Sequence, residues 1–347
     1  MKIWKLFGIF HLFLYFCSHI DGFVVEKRLE YVDIAKGFGI LLVVCSHSDA
    51  LDFMWLMMGM FVPIFYFCSG FTYVKKGSFM ETTNKRFIRL FVPYLFFNFL
   101  MLLIFQHFSL RELVGIVYSR YCLYPLDYTP NVKFLTSGNY PMWFLTSMIV
   151  TYYLFCLIIY CERYKNLFIM VYAGMIVVLM YCPILLPWSL DTAPLTALIM
   201  YAGMETRRRG LMKMNVWLVL CLSFFYIGLA FFGGDINISV KMYGNSIVVY
   251  FVLAIIGSFV VLWGSQLLER TLVGRFFSIL GKHSLTIFCI EMVFIVWAKD
   301  IFLLLFPRYG VNYLTGLFEI IVSLLGGILV SIFLHKSRLL SRIAYAS

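Results

Sequence analysis

The sequence predicts an all-α membrane protein: a bundle of about ten transmembrane helices with both ends of the helical core in the cytoplasm. Three observations carry that expectation. Hydrophobic residues make up 63% of the chain and charged residues only 13%, against roughly 25% charged in a soluble domain, and one soluble core cannot hide so much apolar surface. Apolar runs recur at or near the roughly 20 residues that cross a bilayer. Lysine and arginine are abundant in every second connecting loop and sparse in the others.

Ten runs are long enough to span, or nearly so. They are Gly37 to Phe53, Leu56 to Val74, Ile88 to Gln106, Trp143 to Cys161, Leu167 to Leu186, Ala193 to Met204, Val216 to Phe232, Ile247 to Leu268, Ser284 to Ala298 and Leu314 to Leu334. With the start of the first run placed in the cytoplasm, twenty lysines and arginines fall inside and six outside. The positive-inside bias therefore sets the orientation. Residues 1–27 form a separate apolar segment, with Lys2 and Lys5 ahead of a run ending near Ile20. Cleaving it as a signal, or threading it through the bilayer, would reverse the charge bias, so an interfacial helix fits better. Residues 28–342 form the membrane domain.

Composition also narrows the function. The net charge of +11 would suit nucleic acid, but the cations follow the membrane segments and form no separate basic patch, so nucleic-acid binding is not expected. Nine cysteines occur without a C-x-x-C pair. Most lie in apolar runs, where Cys acts as a small hydrophobe, so neither a disulfide framework nor a metal site is expected. Cys122, in a long polar loop, is the thiol expected to be most open from outside.

Ionisable residues deep in a bilayer are costly and point to function. Lys36 stands at the inner end of the first run and His47 eleven residues on. In a helix that is about 16 Å deeper and about 20° around, so the two share one face. A phosphate-bearing ligand held at Lys36 could present its far end to the imidazole, whose ordinary pKa suits general-base work. The plain alternative is a histidine that only hydrogen-bonds a neighbouring helix. Asp49 and Asp52 follow just beyond. Glu291, inside SLTIFCIEMVF, falls within about a turn of His47 in depth and could orient the imidazole as in a catalytic dyad.

Inner cations could hold phosphates. Arg86 and Arg89 lie one turn apart in KRFIRLFVPY, read as the start of the third helix. The sequence GKHS, Gly281 to Ser284, is read as opening the ninth helix, where Lys282 and unpaired backbone N–H groups would meet an anion. Anchoring at lipid headgroups accounts equally well for each alone. Arg207-Arg208-Arg209 reads as a topology signal. On the outer side, the loop from His107 to Met142 ends in NYPMWFL. Asn139 and Trp143 there, with Asp49, are the residues placed to meet a sugar; Trp143 is otherwise an aromatic-belt residue.

The opening RLEYVDIAKGFGILLVVCSHS resembles the first helix of the integral-membrane acyltransferases of family 3, the O-acetylases of sugars and surface polysaccharides. That family carries a basic residue, ten intervening positions and a histidine, here Lys36 and His47. PIFYFCSGF, RFIRLFVPY, PMWFLTSMIVTYYLF and LGKHSLTIFCIE are similar to the family in order and spacing, over residues 28 to 335 or so. The flavour is closest to the fucose 4-O-acetylase-like branch. The resemblance implies a multi-pass protein of the inner (plasma) membrane. It would move an acyl group, in the first instance acetyl, from acetyl-CoA as cosubstrate to a hydroxyl of a lipid-linked or cell-surface glycan. His47 would be the base, and Lys36, Arg86 and Arg89 would contact CoA phosphates. Two departures stand out: the family commonly has Arg at Lys36, and a bidentate fork becomes a point charge; many members have His at Glu291. A glycan exporter or flippase without acyl chemistry is the alternative, against which stands the lack of paired Gly/Pro-broken helices.

Overall fold

The computed structural model describes residues 29–49, 56–106, 108–125, 131–134, 140–308 and 310–337, together with Leu340. The chain is nearly all helical. In order come α1 (Glu30–His47), α2 (Pro63–Phe71), α3 (Phe79–Phe105), α4 (Leu110–Tyr118), α5 (Trp143–Tyr160), α6 (Lys165–Met180), α7 (Ala193–Arg208) and α8 (Val216–Phe231). Two short strands, β1 (Ile236–Asn237) and β2 (Met242–Tyr243), pair antiparallel, with Ile236 opposite Tyr243. Then follow α9 (Ile247–Leu268), α10 (Leu272–Leu305) and α11 (Tyr313–Lys336). Among the described residues, α3, α5, α9, α11 and the segment Glu162–Met180 are long and apolar enough to cross a membrane, and the shorter α8 is also apolar. The N-terminal segment, Asp52 and Asn139 lie outside the described residues.

The bundle is centred on α1 and α10, which run parallel and side by side. Glycine makes that possible. A methyl group at Gly37 would overlap the Phe277 carbonyl, and one at Gly281 the Asp33 carbonyl. Helix packing without a hydrophobic gradient between helices depends on such close backbone approach. The same device joins α2 to α7, where Gly70 abuts the Met200 carbonyl and Gly203 the Phe67 carbonyl. Helix α11 folds back antiparallel along α10, with Gly326 and Gly327 against Phe294 and Ile287. By contrast α6 and α8 lie at the rim. Leu167, Met170, Val178, Trp217, Phe224 and Phe231 are all more than half exposed, the apolar outer surface expected where lipid is the solvent. Adding side-chain bulk at the central crossing should be costly. Gly281→Val is expected to destabilise the fold by about 1–3 kcal/mol or more, read as a lower thermal midpoint in detergent; an unchanged midpoint would mean that the crossing is not tight.

Helix α1 begins at Glu30 and not at Gly37, so Lys36 lies nearly two turns inside it, and three further boundaries that bear on the site differ from the sequence expectation, each for a local reason. Helix α2 begins at Pro63 and not at Leu56; proline sits in its first turn, where its missing N–H costs nothing. Helix α3 begins at Phe79, capped by Ser78 accepting from the Glu81 N–H, so Arg86 and Arg89 lie two to three turns inside it and do not start it. Most consequentially, α10 begins at Leu272, where Thr271 accepts from the Gly274 N–H. GKHS therefore opens no helix. Its backbone N–H groups lie in the interior of a continuous helix, the anion site expected at Gly281 to Ser284 does not exist, and Lys282 is exposed on the outside of the turn. Gly281 is there to let α10 touch α1.

Candidate active site

His47 is the last residue of α1. The final turn leaves carbonyls without helical partners, and two serines supply donors: Ser46 Oγ donates to the Val43 carbonyl at 2.7 Å and Ser48 Oγ to the Cys45 carbonyl at 2.9 Å. This ends the helix with the imidazole projecting beside α10. There His47 Nδ1 meets Glu291 Oε1 at 2.8 Å. The carboxylate is fully buried, while the His47 side chain keeps 27% of its surface exposed. When Glu291 is ionised it can only accept, and then Nδ1 carries the proton and Nε2 is the basic nitrogen of the neutral ring. The parallel run of α1 and α10 is what brings residues 244 positions apart into register.

The exposed part of His47 lines a cavity of about 450 Å³. Val43, Ser46, Phe61, Trp143 and Phe288 share its wall, and the far side is the segment Ile236–Val240. Trp143, which begins α5, thus stands in the same cavity as His47. The segment Ile236–Val240 is pinned from behind by Arg120, which is 1% exposed. Arg120 donates through NH1 to the Ser239 carbonyl at 2.6 Å, through Nε to the Leu186 carbonyl at 3.0 Å, and through NH2 to Asp191. Asp191 in turn accepts from the Leu186 N–H at 3.0 Å. One buried ion pair therefore ties the loop after α4, the loop before α7 and the strand hairpin into a single cavity wall.

Asp49 does not line the cavity. Its carboxylate takes Lys299 Nζ at 2.6 Å, and its N–H donates to Glu319 Oε2 at 2.9 Å. The turn after His47 is thereby fastened to α10 and α11. Glu319, wholly buried, escaped the sequence reading although it sits in an apolar run just as Glu291 does; the same criterion would have found it. Arg120 and Asp191 gave no such signal, because each stands in a polar connecting loop.

At the other end of α1, Lys36 is half-buried near Cys68 and the buried Asp33. It does not line the cavity that holds His47: Ile40 and Val43, buried on the same helical stripe, stand between. The slot expected from the spacing is thus not continuous: the cavity beside His47 stops short of Lys36, with Ile40 fully buried between. Arg86 and Arg89, both half-buried, lie toward the same end of the bundle as Lys36, with the Arg86 guanidinium 4.6 Å from the centre of the Tyr152 ring. Tyr152 packs against Tyr73, at the end of α2, and Tyr31 of α1 packs against Phe71. Cys122 corrects another expectation. It is fully buried, its Sγ 3.0 Å from the Tyr124 carbonyl, and burial pushes its thiol up in pKa. It is a poor target for a reagent outside. Among the described residues no cluster of three or more His, Cys, Asp or Glu could hold a metal.

Residues 29–336 match the family model of an acyltransferase domain, Acyl_transf_3. The chain belongs to acyltransferase family 3. Neither a curated protein nor a solved structure gives a significant match. The acyltransferase is a multi-pass membrane protein, and its family match covers every residue of the His47–Glu291 pair, the cavity wall and the inner cations.

Proposed function

We propose that this acyltransferase moves an acetyl group from acetyl-CoA to a hydroxyl of a lipid-linked or cell-surface glycan, as a ten-span protein of the inner (plasma) membrane. The observation that supports this most is His47, anchored through Nδ1 by a buried Glu291 and open on its other side to a cavity that also holds Trp143. Such a pair suits general-base catalysis by Nε2. The acceptor hydroxyl gives its proton to His47 Nε2 as its oxygen attacks the thioester carbonyl. Glu291 balances the charge of the imidazolium so formed. The tetrahedral intermediate collapses, the C–S bond breaks, and the proton leaves with the CoA thiolate.

Lys36, Arg86 and Arg89 are the groups proposed to hold the phosphates of the donor at the inner end. Lysine binds phosphate as a point charge and arginine as a fork. The arm of the donor would lie along the apolar stripe of Ile40 and Val43, displacing the packing that covers it. Trp143 offers a face on which a sugar ring can stack. Asp49 serves the site by holding the turn that follows His47.

Two experiments test the reading. Purified protein in nanodiscs should acetylate a glycan acceptor with labelled acetyl-CoA, and mass spectrometry of cell-surface glycans should lose acetyl esters when the gene is removed. Unchanged esters together with acyl-CoA-independent movement of glycan would favour an exporter instead. Orientation has its own check in single-cysteine variants. Cys161, between α5 and α6, and Cys182, after α6, are both half-exposed. An impermeant maleimide applied to intact cells is expected to label Cys182 and spare Cys161; the opposite pattern would invert the topology.

A further inference from the structure

We infer that the outer cavity selects an acceptor ring bearing no negative charge, so that neutral sugars are substrates and their uronic-acid counterparts are excluded. This deepens the acyltransferase reading and rests on it for the word acceptor. Among the described residues, no Lys, Arg, Asp or Glu side chain lines the cavity. Its walls are aromatic at Phe61, Tyr121, Trp143 and Phe288, and its polar side includes the neutral Asn237 and Ser239. A volume of about 450 Å³ falls within the range of about 300–1,000 Å³ usual for small-molecule sites.

Of the cations near the cavity among the described residues, two are neutralised, and a third, the exposed Lys133, lies against the Tyr121 ring with its Nζ 5.7 Å from the ring centre and is not part of the lining. Arg120 lies behind the wall with its NH2 on Asp191 and its Nε and NH1 on carbonyls. Lys299 is paired with Asp49. Among the described residues, the charge that reaches the lining itself is that of the His47–Glu291 pair, which sums to zero with the ring protonated and to minus one with it neutral, given an ionised Glu291. A sugar carboxylate entering here would leave water and find no lysine or arginine in the described lining to pair with. The desolvation of an unpaired ion amounts to several kcal/mol in protein interiors. A hydroxyl ring loses little by comparison, because its C–H faces stack on the aromatics and its hydroxyls can bond Asn237, Ser239 and His47.

The test uses the full chain in nanodiscs and two glycosides that differ only by a carboxylate, methyl glucoside and methyl glucuronide. Equilibrium dialysis measures binding without any acyl chemistry, and turnover with acetyl-CoA is measured separately. The neutral glycoside should exceed the acid at least about tenfold in affinity, and by a similar factor in kcat/KM, a difference of about 1.4 kcal/mol. Met58→Lys, which puts an ammonium on a side chain already lining the cavity, should narrow or reverse the preference. Equal or stronger binding of the acid by the unaltered protein, or binding of neither sugar, overturns the inference. Selective binding of the neutral sugar without acetylation would leave the charge selection standing and count against acyl transfer.

Discussion

Replacing His47 with Gln is expected to lower acyl transfer by about 10²–10⁴-fold, the usual contribution of a positioned general base, while leaving protein abundance and thermal midpoint close to those of the unaltered chain. Glutamine retains an amide that can reach Glu291, so the buried carboxylate keeps a donor and the fold loses little. It has no basic nitrogen, so the hydroxyl of the acceptor keeps its proton. Glu291→Gln should share most of this loss by a different route. Its carbonyl can still accept from Nδ1–H at the observed 2.8 Å, but it brings no charge to offset an imidazolium. The effects should be far from additive, because residues acting as one unit are not independent. In a transfer assay the double variant should therefore be scarcely slower than the worse single variant. Full activity in His47→Gln at normal protein levels would sink the base assignment.

Arg120→Leu is expected to be the most damaging change to stability outside the helical core. The pair with Asp191 is buried on both sides, at 1% and 0% side-chain exposure. Removing one partner leaves an uncompensated buried charge, which typically costs about 3–5 kcal/mol. Exchanging both residues, Arg120→Leu with Asp191→Leu, should recover part of that loss, since an apolar pair of similar volume is often tolerated where a lone ion is not. The functional effect should follow the geometry. With the Ser239 carbonyl released, the wall of the cavity loosens, and the KM for the acceptor should rise more than kcat falls. Thermal unfolding in detergent is the measurement. A single variant that melts with the unaltered protein would show that the pair does not hold the wall.

What the sequence made legible follows from what a membrane makes expensive. Lys36, His47 and Glu291 stood out because each interrupts an apolar run, and the structure places His47 and Glu291 in contact. Helical geometry put Lys36 and His47 on one stripe, but periodicity says nothing of what covers a stripe, and Ile40 turns out to be packed over. Arg120 was counted as an ordinary outer-loop cation. Its partner Asp191 lies 71 positions away, and no local pattern marks either residue as buried. Gly281 misled for a related reason: a glycine followed by Lys, His and Ser looks like a helix start, whereas here its missing side chain admits another backbone. Cys122 looked accessible because its neighbours are polar, yet the loop folds over it, with the Leu123 N–H donating to the Val132 carbonyl and the Phe134 N–H to the Tyr121 carbonyl.

The glycine crossing of α1 and α10 gives the protein a remote handle on its chemistry. The two halves of the reactive pair hang from separate helices, and those helices are clasped at Gly37 and Gly281, ten residues and about 15 Å from His47. A change of tilt at the clasp should grow with distance along the two helices and so alter the 2.8 Å separation. Substitutions around Asp33, Gly37 or Phe277 should therefore mimic lesions of the His47–Glu291 pair although none of the three is part of it.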